Sequence, residues 1–221
     1  METHRNSDPT ALNDVLSHLR AGIQGDRDAL MLVWNQHESR LRKLVKLRLD
    51  RRLQGRIDPE DVLQETFLDF ASRVEEYVAD SDMPFYLWLR FLTGQRLQLT
   101  HRHHLGTQMR DAGREVSLHR GAMPQATSIS LAAGLLGRFT SVTQAVQRAE
   151  LQQMLQEVVN DMEPLDREIL ALRHFEELSI SETATVLGIK STTASTRHVR
   201  ALKRLREQLK NTPGFFDRNR S

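Results

Sequence analysis

Three acidic side chains, Asp61, Glu65 and Asp69, recur every fourth residue with Gln64 beside them. On a helix that spacing lines them along one face, while Leu63, Phe67 and Phe70 turn the other way. Such a stripe does no covalent chemistry; by itself it reads first as an ordinary solvated face, and it also suits charge-assisted hydrogen bonds to a basic partner helix. A second set has the opposite sign. Thr192, Thr193, Ser195, Thr196, Arg197, Arg200 and Arg204 lie within Leu187 to Glu207. Short hydroxyl side chains let a helix come close to nucleic acid, and arginines grip guanine edges bidentately or hold phosphates.

A third set mixes aromatics with polar groups. Phe85, Tyr86, Trp88 and Phe91 are followed or interleaved by Arg90, Gln95, Arg96, Gln98 and Arg102. Aromatics with arginines stack unpaired bases and neutralise phosphates. Leu87, Trp88 and Phe91 at helical spacing read first as core, which leaves the polar side chains as strand contacts. His101, His103 and His104 have no carboxylate or thiolate near them to complete a ligand set, so neither a metal nor a cofactor is expected. No serine or threonine has a base at a catalytic spacing and no glycine loop cradles phosphate, which points away from an enzyme.

Helices must carry these sets. Leu30, Val33, Leu41, Leu44 and Val45 mark one apolar face; Leu63, Phe67, Phe70, Val74 and Tyr77 mark another; Leu151, Met154, Leu155 and Val158 a third, ended by Pro164. Leu165, Ile169, Leu172 and Phe175 open a cluster that runs to Leu209. No stretch alternates in the strand manner. The fold class is all-α. Five of the eleven glycines lie between Gly106 and Gly137, with Pro124 among them, so a flexible linker is expected over 106–149, holding a short helix near 130–136. It would join two small helical domains, 10–105 and 150–211.

Within the second domain, Leu178 to Leu187, Gly188, and a helix after Ser191 form a helix-turn-helix pattern. Ser191 is the expected N-cap, and Val199, Leu202, Leu205 and Leu209 the expected buried face.

Charge is blocked along the chain. The formal net charge is only +2, yet Arg40 to Arg56 holds eight bases against Asp50 alone. Asp58 to Asp82 holds nine acids against Arg73, and Lys190 to Lys210 seven bases against Glu207. Different faces therefore suit different partners. There is no cysteine, which excludes disulfides and thiolate sites. The polar start and the lack of a long apolar run predict a cytoplasmic chain without a membrane partner.

EPLDREILALRHFEELSISETATVLGIKSTTASTRHVRALKRLRE, Glu163 to Glu207, resembles the C-terminal promoter-binding domain of extracytoplasmic-function sigma factors of bacterial RNA polymerase. RIDPEDVLQETFLDF, Arg56 to Phe70, resembles their polymerase-binding helix, and MPFYLWLRFLTGQRLQLTHRHH, Met83 to His104, the helix that handles melted promoter. The segments come in the family's order and spacing. The resemblance implies a dissociable initiation subunit. Asp61, Gln64, Glu65 and Asp69 would dock on the beta-prime clamp helices of core RNA polymerase. The second domain would read the upstream element of promoter DNA as duplex. Arg90, Gln95, Arg96, Gln98 and Arg102, with Asp80 and Ser81 in a loop that captures a flipped base, would hold the downstream element. Control by an anti-sigma protein is a family expectation. Where the family often has Ser, Lys190 stands here, which shifts the cap by a residue. A stand-alone helix-turn-helix regulator acting without polymerase is the rival reading.

Overall fold

Each apolar stripe becomes a helix, because burying one face is the way such a pattern loses contact with water. The computed structural model describes residues 9–80, 82–105, 123–139, 145–212 and 215. In chain order the helices are α1 (Pro9–Ile23), α2 (Arg27–Arg48), α3 (Pro59–Asp80), α4 (Phe85–Leu105), α5 (Ser128–Phe139), α6 (Ala145–Asp161), α7 (Pro164–Leu170), α8 (Ile180–Leu187) and α9 (Ser191–Asn211). Helix α7 runs on into a π-helical turn, Ala171–Phe175. Among the described residues no strand forms, and the all-α expectation holds.

Local chemistry sets the helix starts. Asp26 caps α2 by accepting the Ala29 N–H at 3.0 Å. Pro164 sits in the first turn of α7, where its missing N–H is no loss. In the N-terminal half α2 packs on α1, α3 and α4, and α3 packs on α4. Its centre is aromatic: Trp34 stacks on Phe70 with centroids 5.9 Å apart, and Tyr77 on Trp88 at 4.7 Å. All six residues from Phe85 to Arg90 are buried, so the start of α4 has no solvent face.

In the C-terminal half α6, α7 and α8 pack on α9. The two helical domains pack against each other. One buried apolar cluster runs from Leu19 through Leu136 to Leu209, and α2 touches both α5 and the π-helical turn. The stretch expected as a linker therefore needs correction. Helix α5 is longer than the 130–136 read from sequence and packs on α6, burying Leu131, Ala132, Leu135 and Leu136. Gly134 is a packing residue there: a Cβ would lie 2.2 Å from the Phe175 ring. The rest of that stretch, 106–122 and 140–144, lies outside the described residues. Among the described residues no helix is long and apolar enough to cross a membrane.

Candidate nucleic-acid interface

The sequence builds the helix-turn-helix with little ambiguity. Ser179 and Glu182 form a reciprocal capping box at the start of α8: Ser179 accepts the Glu182 N–H at 3.1 Å and Glu182 accepts the Ser179 N–H at 2.7 Å. Gly188 ends the helix at φ 63°, ψ 38°, a left-handed conformation glycine adopts without a Cβ penalty. The Ile189 N–H then bonds back to the Ala184 carbonyl at 3.0 Å, and Ile189 packs on the core at the corner.

Two expectations about α9 are corrected. The N-cap is Lys190, with no side-chain bond, and Ser191 is the first helical residue. The buried face is Ala194, Ala201, Leu205 and Leu209, whereas Val199 is 61% exposed and Leu202 38%. Ala194 and Ala201 hold the inward positions of the first three turns, and Val199 and Leu202 lie off that seam, toward solvent. Thr192, Thr193, Ser195, Thr196, Arg197, Arg200 and Arg204 are all exposed. Six of them, Ser195 apart, line one open groove of about 470 Å³ together with Asp166. Thr196 donates its hydroxyl to the Thr192 carbonyl at 2.9 Å. Buried Asp166 accepts from Arg204 at 2.6 Å, which draws that guanidinium back toward α7. Across the helix, His198 and His174 bring their Nε2 atoms within 2.9 Å.

The acidic face of α3 is only partly open. Asp61, Gln64 and Glu65 are exposed; Asp69 is half-buried and ion-paired with Arg96, and Glu65 lies 3.6 Å from the same guanidinium. Burial would lower the Arg96 pKa, but the hydrogen bond to Asp69 is the larger influence and raises it. Asp69, read as a docking residue, and Arg96, read as a strand contact, thus neutralise each other. Gln95 accepts from Arg73 at 3.1 Å, Gln98 is half-buried and Arg102 is exposed. Ser81 and the side chain of Asp80 lie outside the described residues.

Arg90 is the clear correction. It is 4% exposed and donates from Nε to Glu176 at 2.7 Å, so in this arrangement no strand can reach it. Its neighbour Arg48 is 1% exposed and bonds the same carboxylate. From the sequence Arg48 counts only as one base of the Arg40 to Arg56 block, although it stands seven residues after Leu41 and so on the buried face of α2. His101 is buried as well, and its Nε2 accepts the Asp50 N–H at 3.1 Å.

This C-terminal arrangement is that of a DNA-binding helix-turn-helix. Residues 152–205 match the family described as Sigma-70, region 4. Over 56 residues the chain is 41% identical to the RNA polymerase sigma-E factor of Streptomyces coelicolor, covering 25% of this chain and 32% of that protein. The sigma-E factor of Streptomyces avermitilis matches at 38% over 58 residues, 26% of this chain and 32% of that one. The chain thus matches about a third of the length of these curated relatives. In three dimensions it is similar to CnrH, solved in complex with the cytosolic domain of CnrY, with a TM-score of 0.52 and 16% identity over 90% of this chain and 98% of that one. That likeness is one of fold.

Proposed function

We propose that this chain is a sigma factor of the extracytoplasmic-function type, which binds core RNA polymerase and directs promoter recognition and opening. The observation that carries the proposal is the exposed α9 face, hydroxyls first and arginines after, inside a segment that matches sigma-70 region 4. In this proposal Thr192, Thr193, Ser195, Thr196, Arg197 and Arg200 meet the upstream element in the major groove, with Arg204 on phosphate. Asp61, Gln64, Glu65 and Asp69 dock on the beta-prime clamp helices, and Arg96, Gln98 and Arg102 serve the downstream element beside Gln95. Docking would have to compete with Arg96 for Asp69. The chain itself is no enzyme; RNA synthesis belongs to polymerase. The functional division is 10–105 and 150–211, and an inhibitory anti-sigma partner would act on the surfaces that polymerase uses.

Run-off transcription with purified core polymerase tests the proposal: the added protein creates new start sites. Charge reversal at Asp61 and Glu65 is expected to abolish core binding while circular dichroism stays unchanged. Core binding that survives the reversal sinks the docking assignment. DNA binding with no effect on polymerase would favour the stand-alone regulator.

A further inference from the structure

The contacts between the two halves are sorted by sign. Arg40, Lys43, Arg48 and Arg90 come from α2 and α4; Glu168, Glu176, Glu177 and Glu182 come from α7, the turn after it and α8. Among the described residues, each of these ion pairs has its base in the N-terminal half and its acid in the C-terminal half. Arg48 lies at the centre. It donates from Nε to Glu176 at 2.6 Å, from Nη2 to Glu168 at 2.7 Å, and from Nη1 to the Pro124 carbonyl at 2.8 Å. Glu176, wholly buried, also receives Arg90. At the rim Arg40 lies 3.6 Å over the Tyr86 ring and donates to the Glu177 carbonyl at 3.0 Å, while Lys43 meets the Glu177 carboxylate at 2.5 Å. Glu177 holds φ 57°, a left-handed conformation that costs a non-glycine residue free energy and persists only when its surroundings enforce it.

We infer that these residues form an ionic clasp holding the protein closed, in which Glu168 and Glu176 occupy the guanidiniums of Arg48 and Arg90 in place of nucleic-acid phosphates. A contact selected for stability alone would be apolar, since buried ion pairs seldom outdo packed hydrocarbon. This one is also incompletely satisfied: Arg90 Nη2, Arg40 Nε and the Tyr86 hydroxyl are buried without a hydrogen-bond partner among the described residues. Burial alone would raise the Glu176 carboxyl, yet Arg48 and Arg90 hold it below the usual carboxylate range, so the acid stays charged. Separating the halves leaves a strongly basic face on α2 and α4, with an acidic face opposite that repels DNA. A polyanion on the basic face and the clasp are therefore mutually exclusive, and nucleic-acid binding by the N-terminal half favours the open state. The inference rests on the proposed function only in taking nucleic acid as the polyanion.

The test uses the full chain and a fluorescent oligothymidine, with anisotropy read across a salt series. Because the chain has no cysteine, dyes placed through Glu75→Cys and Lys203→Cys report the separation of the halves. Glu176→Gln should lower energy transfer and steepen the slope of log affinity against log salt by about 1.4, two phosphates at roughly 0.7 each on a single strand. A zero-length carbodiimide arm works in the opposite direction. It joins Lys43 Nζ to the Glu177 carboxyl as an amide, the carbodiimide taking up the water lost, and mass spectrometry identifies the linked peptide. The locked protein should bind oligothymidine more weakly and with a shallower slope than the unlinked protein. Unchanged transfer and slope in a helical Glu176→Gln protein overturn the inference. So does a locked protein that binds like the unlinked one, whether or not Glu176→Gln folds. No polymerase enters either arm, so failure of the sigma-factor proposal would show separately in run-off transcription.

Discussion

Arginine meets opposite fates in the two halves of this molecule. On α9, Arg197 and Arg200 stand in water, opposite a seam of Ala194, Ala201 and Leu205. On α2 and α4, Arg48 and Arg90 are buried and share one carboxylate. The side chain is the same; the helix around it is not. Helix α9 is cleanly amphipathic, so any base off its seam is exposed. The first turns of α4 have no polar face, so Arg90 is carried inside and needs an anion there. Exposure leaves arginine free to meet a ligand at once, and burial holds it on the protein's own carboxylates for as long as the halves stay closed.

The largest test of this contrast removes one buried guanidinium. Arg48→Ala leaves Glu168 and Glu176 short of a partner and should cost roughly 3–5 kcal/mol, read as a lower urea midpoint. Arg200→Ala on α9 should stay within about 0.5 kcal/mol by the same measurement. Equal losses at both positions would erase the distinction.

A pH series sharpens it next. His37 lies against the Phe85 and Tyr86 rings, and burial first, then the Arg40 charge, lower its pKa from 6.5 to about 4. Above pH 6.5 the ring is neutral in the folded and unfolded chain alike. As the pH falls from 6.5 to about 4, only the unfolded chain takes up the proton, so stability declines, by about 3 kcal/mol in full. His37→Gln should flatten that part of the stability profile.

Function reverses the ranking. Arg200→Ala should weaken binding to cognate duplex by about 1–3 kcal/mol, measured by anisotropy at fixed salt. The smallest effect is expected at Val199, which α9 turns to solvent: Val199→Ser should change stability by less than about 0.5 kcal/mol. A loss of several kcal/mol there would restore the buried face first read from the sequence.

That face shows where sequence reading stops. Apolar spacing placed Leu205 and Leu209 inside correctly but admitted Val199 and Leu202 with them, because an alanine scarcely registers as a core residue by hydrophobicity. Ala194 and Ala201 are inside because a small side chain lets two helices approach. The turn at Gly188 was legible in the letters; the capping box of Ser179 and Glu182, equally local, went unread. Arg48 offered a weaker sign, its phase with Leu41 and Leu44.

The sequence by itself determined the helices with a clear apolar stripe, the helix-turn-helix and the exposed hydroxyl and arginine face, because backbone hydrogen bonds and amphipathic periodicity are local. Only the tertiary structure decided which arginines meet solvent and which meet Glu176. That acid lies 128 residues from Arg48 and 86 from Arg90 in the chain. A buried charge is settled by whatever anion the fold brings to it, and separation along the chain does not encode that meeting.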